Sequence, residues 1–517
     1  MKKLAIILAA LLLFSLMAGT ALAAGADGEY PVAEGVPETF EEALEYYKNG
    51  RIGVQTGSTM ETVAAELFPE ADLQYFSTAA DLKAALLGGK IDAFVLDSPV
   101  ALTMRQEDPS VTYYADLAGA EEIAFAFNRD TGTELCAQMN DFLAGARESG
   151  LIDELTDKWF DYDGTEEISV DINSLSGENG TLEVVSEIAY APFEFFTNSG
   201  NYGGFELELL MYFAEEYGYS VNLSNVAFST VILSISSGKA DMAASGLSIT
   251  EERKESVLFS DPFYTSGGVL CVPSGVKTGG TFLENLGDSL QKTFVTADRW
   301  KLFLNGLATT LVICLLSALL GTVGGFGIFS VYRKGNRAFC RVTDALSGII
   351  HGMPVVVFLL LVYYLVFGSS RLDGRWVSVV AFTVLFSFDT ADLLTNGSRL
   401  VDRGQTEAAY MLGYGERSAF YRIILPQIIN NSMPGYIGAV TALLHSTAIV
   451  GYVAVEDITK VSDIIRSRTY EAFFPLIVTA LAYFLIAWLI TALLRELQRK
   501  IDPRTRKINI KGENADD

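Results

Sequence analysis

Apolar residues are concentrated in the second half of the chain, where five segments are long enough, or nearly so, to cross a bilayer. The fourth of these segments is the least apolar. Between the third and the fourth lies a polar, helix-prone stretch, which the pattern places outside the bilayer. The five predicted segments are 303–331, 349–367, 377–394, 436–455 and 473–494.

The first half of the chain has a different rhythm, in which short strand-like runs alternate with helix-like pieces. AFVLD at 93–97 is one such strand within 39–163, and the same rhythm returns over 181–275. The polar stretch 164–180 between these regions predicts a linker. The pattern therefore predicts α/β units followed by an all-α membrane domain of five helices over 303–500.

The start of the chain, 1–24, has the pattern of a secretory signal peptide. Lys2 and Lys3 precede an apolar core over 4–13, and Ala-Leu-Ala at 21–23 offers a cleavage site. An uncleaved first membrane helix is the alternative. In either case the region that follows is expected to be exported.

Charge is distributed unevenly along the chain, whose net charge is −26 at neutral pH. Acidic residues dominate the first half, which argues against nucleic-acid binding there, whereas the second half is mildly basic. Basic residues cluster after the first, third and fifth apolar segments, and basic loops tend to stay on the cytoplasmic side. We therefore expect a multi-pass plasma-membrane protein with an extracytoplasmic first half, an amphipathic connector over 276–302 and a cytoplasmic tail over 501–517.

The polar stretch 404–426, GQTEAAYMLGYGERSAFYRIILP, resembles the EAA loop of ATP-binding-cassette (ABC) importer permeases. The resemblance implies a short helix that docks on a separate ATPase; an ordinary loop between membrane helices is the alternative. Helix formers, a glycine that permits a sharp stop, and a proline suit such a module. The residues implied in coupling are Glu407, Ala408, Ala409, Gly413 and Pro426.

Further runs over about 300–500 resemble the permeases of polar amino-acid ABC importers, the His/Glu/Gln/Arg permease family. They are NGLATTL at 305–311, GMPVVVFLLLVYY at 352–364 and TALLHSTAIVGYVAVEDI at 441–458. The family implies two permease subunits in each transporter, and we expect a homodimer.

Metal and nucleotide sites are not encoded by any motif in the chain. It has two histidines, and its four cysteines lack a metal-binding spacing. The phosphate-binding loop GxxxxGK[ST] does not occur. We therefore expect no cofactor in this chain, with ATP and Mg bound by the partner ATPase subunit.

Three ionisable residues within the apolar segments are candidates for the translocation path, because such groups are costly in a membrane. Asp389 and Asp392 lie three residues apart and so share a helix face, and His445 lies mid-segment. The family usually has a lysine where this chain has His445, and its Ala-Tyr-x-Ala-Glu run reads Phe-Asp-Thr-Ala-Asp at 388–392. A structural hydrogen bond between helices is the alternative role.

Residues 181–275 resemble the first lobe of polar amino-acid-binding proteins through SEIAYAPFEF, GGFELELL and GLSITEERKESVLFSDPFY. The arginine of the last run can form a bidentate pair with the carboxylate of an amino acid. A serine, backbone amides, two aromatic rings and a carboxylate would complete this half of the site. The candidates are Arg253, Ser248, Gly246, Tyr190, Phe228 and Glu187.

Residues 39–163 resemble the second lobe and closing helices of the same proteins through RIGVQTGSTMET and AFVLDSPVA. The aspartate of the latter run suits the ammonium of an amino acid, so that it and Arg253 would clamp a zwitterion from opposite lobes. The candidates here are Asp97, Gln55, Ser58 and Thr59.

The two lobes occur in the reverse of the family's order. This order predicts a two-lobed, type II periplasmic-binding-protein fold that is circularly permuted, which termini at a surface hinge make physically feasible. Two incomplete remnants that need a partner chain are the alternative.

These resemblances together imply the fused binding and permease subunit of an ATP-driven importer of polar amino acids. Glu187 favours glutamine-like or basic amino acids over acidic ones. The expected partners are a cytoplasmic ABC ATPase dimer and a second permease subunit, and ATP hydrolysis is assigned to the ATPase and not to this chain. A ligand-gated channel with glutamate-receptor-like lobes and an exported enzyme are the rival interpretations.

Overall fold

The computed structural model describes residues 31–115, 118–162, 164–276, 287, 289–295, 299–368, 370, 372–471 and 474–501. The predicted signal peptide, much of the amphipathic connector and the tail beyond Ile501 lie outside the described residues. The chain forms two compact units. Unit 1 comprises Met1–Asn305, Gly368–Arg371 and Ala454–Ile477, and unit 2 comprises Gly306–Phe367, Leu372–Val453 and Val478–Asp517.

All the described strands lie in unit 1. They are β1 (Arg51–Gln55), β2 (Asp72–Phe76), β3 (Ala93–Asp97), β4 (Val111–Tyr113), β5 (Ala118–Ile123), β6 (Ala126–Asn128), β7 (Thr181–Ser186), β8 (Phe195–Phe196), β9 (Tyr202–Gly203), β10 (Ser220–Asn225), β11 (Met242–Ala243), β12 (Val257–Phe259) and β13 (Tyr264–Pro273).

Helices occur in both units. They are α1 (Phe40–Tyr47), α2 (Met60–Leu67), α3 (Ala79–Leu87), α4 (Ser98–Glu107), α5 (Thr133–Ser149), α6 (Leu151–Phe160), α7 (Phe205–Glu216), α8 (Val231–Ser236), α9 (Glu251–Lys254), α10 (Trp300–Tyr332), α11 (Arg337–His351), α12 (Val355–Leu360), α13 (Gly374–Arg399), α14 (Arg403–Met411), α15 (Glu416–Ala419), α16 (Leu425–Ser446), α17 (Ile458–Thr469) and α18 (Phe474–Ile501).

Unit 1 is built on two mixed sheets, one for each lobe. The sheet of the second lobe has the strand order β2-β1-β3-β13-β4, and β5 also pairs with β13. The sheet of the first lobe has the order β10-β7-β11-β6-β12. In each sheet the central strands pair in parallel (β1 with β2 and β3, β7 with β10 and β11), as expected where helices connect successive strands.

Two strands cross between the lobes, a feature that the sequence pattern did not predict. β6 comes from the segment assigned to the second lobe, yet it pairs antiparallel with β11 and β12 of the first. β13 comes from the segment assigned to the first lobe, yet it pairs antiparallel with β3 and β4 of the second. Both strands are apolar and almost wholly buried, so either sheet could accommodate them. Tertiary pairing, which local sequence does not specify, determines which sheet each strand joins.

α5 and α6 are separated by a single residue, Gly150. Its φ of +79° lies in the left-handed region, which glycine adopts without the steric cost that a side chain brings. The break lets α6 fold back so that Trp159 is fully buried in the same hydrophobic core as Phe193 and Phe205 of the first lobe.

A buried carboxylate fixes α6 to the first lobe. Glu208 on α7 accepts hydrogen bonds from Trp159 Nε1 (2.6 Å), Lys158 Nζ (2.7 Å) and the Ser169 backbone N–H (2.8 Å). The Glu208 side chain is fully buried, and a buried charge is tolerated only when it is paired and hydrogen-bonded. The segment before the predicted linker is therefore tied to the segment after it.

The described residues contain four membrane-length apolar helices, or five if one bent pair is counted as a single span, where five segments were predicted. Four helical stretches of the described chain are long and apolar enough to cross a membrane, namely Trp300–Tyr332, Gly374–Arg399, Glu416–Val453 and Phe474–Lys500. The pair Arg337–His351 and Val355–Val366 makes a fifth if it forms one span, and it bends by 109° at its break.

Two of the predicted segments have different bounds in the structure. The segment predicted at 349–367 is broken just before α12, where Pro354 precedes the helix and disfavours helical structure in the residue before it. The segment predicted at 436–455 begins earlier in the structure, where α16 starts at Leu425. The prediction missed this first part because polar residues at 427–432 interrupt the apolar pattern. Pro426, which has no backbone N–H to donate, closely follows the π-helical turn Phe420–Ile424 within the helical stretch Glu416–Val453.

We expect Glu208→Ala to lower the free energy of unfolding of unit 1 by about 3–5 kcal/mol, because Lys158 and Trp159 then lose their buried acceptor. Thermal unfolding of the full chain, followed by tryptophan fluorescence, measures the change. Glu215→Ala, at an exposed position of the same helix, is the matched control and should change stability by less than about 0.5 kcal/mol. Equal midpoints for the two variants would contradict the anchoring role of Glu208.

Candidate functional site

The predicted ligand residues converge on one cleft between the two lobes of unit 1. Gln55 and Asp97 are the last residues of the parallel strands β1 and β3, and Glu187 directly follows β7. The carboxyl ends of parallel strands are the common place for ligand sites in open α/β sheets. The facing strand ends of the two sheets therefore bring polar side chains together.

Three side-chain pairs bridge the cleft directly. Gln55 Nε2 donates to Glu187 Oε2 at 3.2 Å, and the hydroxyls of Thr59 and Ser248 lie 3.3 Å apart. The Tyr190 hydroxyl donates to the Asp97 carboxylate. Each pair joins one lobe to the other, so the lobes are closed on each other through groups that an amino acid could also engage.

Arg253 extends from α9 across the cleft. Its guanidinium donates to the backbone oxygens of Ser248 (2.8 Å) and Gly57 (2.9 Å), which belong to different lobes. Its central carbon lies 5.8 Å from the Phe228 ring centroid, within the range of a cation–π contact. Burial lowers the pKa of Arg253, with Glu121 and Asp97 opposing that shift.

Asp97 is a buried carboxyl with an unusual proton affinity. Burial raises the pKa of Asp97 to about 7, because a desolvated carboxylate is costly; the hydrogen bond from Tyr190 opposes this shift and the negative charge of Glu121 adds to it. A ligand ammonium would remove the cost by supplying an opposite charge. The group is therefore suited to bind a cation.

Glu187 is the second buried carboxyl of the cleft. Burial raises the pKa of Glu187 to about 7, and the positive charge of Lys460, a backbone N–H from Phe228 and the Gln55 amide act against the shift. The Glu187 backbone N–H is held by Ser245 Oγ at 3.0 Å. Its carboxylate is thus fixed at the side of the cleft that carries the Phe228 ring.

Gly246 and Ser58 shape the cleft through the backbone. Gly246 has φ +54°, and a Cβ at this position would meet the Tyr190 ring at 2.9 Å, so a glycine is required for the close approach. Ser58 donates through its hydroxyl to the Gln55 carbonyl at 2.7 Å, which closes the turn after β1. The hydroxyl of Ser58 is therefore engaged by the turn itself.

Sequence reasoning missed Glu121, which lies on β5 at the centre of the polar cluster. Its Oε2 accepts hydrogen bonds from Thr59 Oγ1 (2.5 Å) and Ser248 Oγ (2.6 Å). The signal available was weak, since Glu121 lies in a short GAEE run with no motif around it. Its position depends on the pairing of β5 with β13, which brings two distant parts of the chain together.

A second missed feature is the buried acid pair Glu194 and Glu206. Glu206 accepts the backbone N–H groups of Ser245 (3.1 Å) and Gly246 (2.7 Å) and so holds the loop that leads to Ser248. Burial raises the pKa of Glu206 to about 8. Burial also raises the pKa of Glu194 well above its usual value, and the negative charge of Glu206 adds to that shift. Two carboxyls this close cannot both ionise, so the pair is expected to share a proton.

The predicted coupling residues lie in and after α14 of unit 2. Glu407 and Ala408 are exposed, whereas Ala409 is buried. Gly413 ends this region with φ +85°, as expected for a glycine after a helix. The neighbouring Met411 and Leu412 are 88% and 77% exposed, so the helix end presents apolar side chains that no motif had singled out.

The candidate translocation residues do not form one group. His351 Nε2 lies 2.9 Å from Asp389 Oδ1, and Ser347 Oγ donates to Asp392 Oδ2 at 3.1 Å. His445 lies elsewhere on α16, with its ring 6.4 Å from that of Tyr483. His351, the last residue of α11, is thus the residue that sequence reasoning missed.

Within the described residues, no group of three or more histidine, cysteine, aspartate or glutamate side chains could hold a metal ion. The cleft instead holds groups suited to an organic zwitterion: one guanidinium, three carboxyls and aromatic rings.

Two family models match the chain. The model of bacterial extracellular solute-binding proteins, family 3, matches residues 182–407. The model of the binding-protein-dependent transport system inner membrane component matches residues 319–507. A two-lobed binding domain joined to a helical membrane region thus defines a transport protein of the binding-protein-dependent class.

Several permeases are similar to the second half of the chain. The histidine/lysine/arginine/ornithine transport system permease protein HisM of Salmonella typhimurium (strain LT2) is 30% identical over 207 residues, which cover 38% of this chain and 88% of that protein. The arginine transport system permease protein ArtQ of Bacillus subtilis (strain 168) is 28% identical over 203 residues, or 38% of this chain and 91% of that one. The crystal structure of an amino acid ABC transporter with histidines matches at 28% identity and a TM-score of 0.37, covering 43% of this chain and 100% of the other.

The chain belongs to the permease family of amino-acid ABC importers, and it carries a solute-binding domain on the same polypeptide. The match confirms the predicted family and the predicted order of a two-lobed domain followed by a helical permease region. It also indicates a transport subunit rather than an enzyme.

We expect His351→Ala to destabilise unit 2 by about 1–3 kcal/mol, because Asp389 is left without its partner in an apolar segment. The midpoint of heat-induced loss of the monodisperse peak in detergent, followed by size-exclusion chromatography, measures this. His445→Ala is the matched control and is expected to have a smaller effect. A larger loss in the His445 variant would contradict the pairing of His351 with Asp389.

Proposed function

We propose that residues 31–276 form one complete binding domain that captures a polar amino acid for import through the permease region of the same chain. The observation that carries this proposal is the convergence of Arg253 and Asp97 in one buried cleft between two lobes. A guanidinium at one end suits the ligand carboxylate, and a carboxylate at the other suits its ammonium. The Tyr190 and Phe228 rings are placed to cover the methylene groups between them.

The ligand is proposed to be a basic or amide amino acid. Glu187 and Gln55 face each other across the cleft, and a buried carboxylate attracts a cationic or hydrogen-donating side chain while repelling an acidic one. The names of the similar permeases, which refer to arginine and to histidine, lysine, arginine and ornithine, support the same class.

Closure of the cleft is proposed to follow from these opposite charges. Each lobe alone offers one partner to the zwitterion, so the ligand binds the closed arrangement more tightly than the open one and shifts the population towards it. Gln55, Ser58 and Thr59 on one side and Ser248 and Gly246 on the other would exchange their contacts across the cleft for contacts with the ligand.

The transporter is proposed to contain two copies of this chain and a cytoplasmic ABC ATPase dimer, which binds the ATP and Mg. The exposed end of α14, with Glu407 and Ala408 beside Met411 and Leu412, is the proposed ATPase contact. The binding domain would then lie outside the plasma membrane and the C-terminus in the cytoplasm. Asp389, paired with His351, and Asp392, bonded by Ser347, are proposed to affect the translocation path, and His445 to act separately.

Replacement of Arg253 tests the proposed ligand site. We expect Arg253→Lys to weaken amino-acid binding about 10- to 100-fold, because lysine keeps the charge but cannot pair with a carboxylate in bidentate fashion. Titration calorimetry of the purified full chain against each of the twenty amino acids gives the affinities. Arg129→Lys is the matched control, since Arg129 also bonds backbone oxygens but is exposed outside the cleft. Unchanged affinity in the Arg253 variant would refute the proposed role.

The affinity should also depend on pH. Because the pKa of Asp97 is about 7, this carboxyl is largely neutral at pH 6 and ionised at pH 8. A ligand ammonium prefers the ionised form, so glutamine affinity should rise about tenfold between pH 6 and pH 8. The same titrations on Asp97→Asn should show weaker binding with a flatter pH profile. Binding that strengthens on acidification would contradict the assignment.

A further inference from the structure

The segment between the fourth and fifth apolar stretches packs on the binding lobes. Residues Ala454–Ile477 belong to unit 1, and α17 lies within them. Ile464 on α17 is 4% exposed and shares a small hydrophobic cluster with Ile188 and Phe196 of the first lobe. A helix that the sequence pattern treats as a connection is therefore part of the binding domain's packed surface.

Polar contacts tie this segment to both lobes. On the second lobe, Arg466 pairs with Asp81 at the start of α3, and Lys83 of α3 donates to the Tyr470 carbonyl at 3.0 Å. Asp81 is itself fixed by the Thr78 hydroxyl, which donates to it at 2.9 Å. The segment is thus firmly attached on the second-lobe side of the cleft.

The polar contacts with the first lobe lie near both ends of α17. Arg468 donates to Asn198 Oδ1 at 3.2 Å, and Lys460 Nζ donates to the Val226 carbonyl at 3.1 Å. Because α17 bonds residues of both lobes at once, its contacts can all be made only when the lobes have their closed spacing.

Lys460 is bonded to the part of the first lobe that carries the buried carboxylate Glu187. Its acceptor residue, Val226, donates its own backbone N–H to the carbonyl of Ser186 at 2.9 Å, and Ser186 directly precedes Glu187. After burial itself, the charge of Lys460 is the largest influence on the ionisation of Glu187. Asp463, one turn along α17, also faces this region and has the opposite sign. An ammonium on a flexible stem is therefore placed next to the carboxylate that faces the ligand's side chain.

We propose that Lys460 competes with the cationic side chain of a bound amino acid for Glu187, so that α17 weakens the binding of basic amino acids in the closed cleft. The inference rests on the proposed function, since it needs a ligand whose side chain reaches Glu187. The lysine ammonium offers the carboxylate the same chemistry as the ligand's cation. When Lys460 neutralises Glu187, the closed cleft keeps its Arg253 and Asp97 contacts but loses the contact that selects a basic side chain.

A merely structural lysine would behave differently. If Lys460 only anchored α17 on the Val226 carbonyl, its removal would affect every ligand to a similar degree. Competition for Glu187 affects cationic ligands alone, since an uncharged side chain gains little from an extra free carboxylate. The ratio of arginine to glutamine affinity therefore separates the two roles.

The test uses the purified full chain in nanodiscs, with arginine and glutamine affinities measured by titration calorimetry. Lys460→Met should bind arginine about tenfold more tightly than the unmodified chain, as expected for removing one nearby competing charge. Its glutamine affinity should change less than about twofold. Lys460→Arg, which keeps the charge, should resemble the unmodified chain. Lys48→Met is the control for net charge, because Lys48 is an exposed cation directly after the last residue of α1.

A double-mutant cycle completes the test. In a Glu187→Gln background, Lys460→Met should leave the arginine affinity unchanged, because the carboxylate that both cations seek is gone. Equal arginine affinity in Lys460→Met and the unmodified chain would overturn the inference while leaving the proposed function intact. An equal gain for arginine and glutamine would overturn it in favour of simple anchoring. Failure of every chain to bind any amino acid would instead refute the proposed function, and the inference with it.

Discussion

The exchange of two strands between the lobes is the constraint on which the rest of unit 1 depends. β6 follows the strands of the second lobe in sequence but pairs in the sheet of the first lobe, and β13 follows the strands of the first lobe but pairs in the sheet of the second. These crossings, together with the bonds of Glu208 that hold α6 against α7, join the stretches of chain before and after the polar linker 164–180. Without them the linker would be the connection between the two stretches. Because each sheet contains strands from both stretches, neither lobe can be completed by one stretch alone. The cleft then lies where both sheets end.

The cleft combines charges that would be unfavourable without partners. Asp97 and Glu187 are desolvated, and their pKa values are raised to about 7. In the closed arrangement Tyr190 and Gln55 supply hydrogen bonds to them. A zwitterion with a polar side chain would replace these contacts with ionic ones. The same desolvation that makes the carboxyls costly thus strengthens their attraction for a ligand cation.

Much of this arrangement could be predicted from the sequence, because local signals specify it. Gln55, Asp97 and Arg253 lie in runs whose strand or helix-cap pattern can be identified from the local sequence. The apolar stretches are long enough to be identified from the sequence of each stretch alone. The family and the order of its parts were predicted correctly from such runs. The assignment of each ligand residue stays a prediction, although the structure brings the chosen residues into one cleft.

Several features that sequence reasoning missed depend on contacts between distant parts of the chain. Glu121 joins the cleft only because β5 pairs with β13, and Lys460 reaches the region of Glu187 only because α17 packs on the lobes. The exchange of β6 and β13 between the sheets was not predicted for the same reason, since an apolar strand such as β13 suits either sheet. His351 was overlooked because its partner Asp389 is 38 residues away in sequence. Local patterns specify elements, whereas these contacts are set by the assembled fold.

The central claim is that one chain contains a complete amino-acid cleft. The stoichiometry of binding tests it most directly: the purified full chain, with no other protein present, is equilibrated with radiolabelled arginine and with radiolabelled glutamine, and bound ligand is counted per chain. The account predicts saturation by at least one of them at one amino acid per chain. Binding that appears only when a second protein supplies the missing half of a cleft, or one ligand for every two chains, would contradict it.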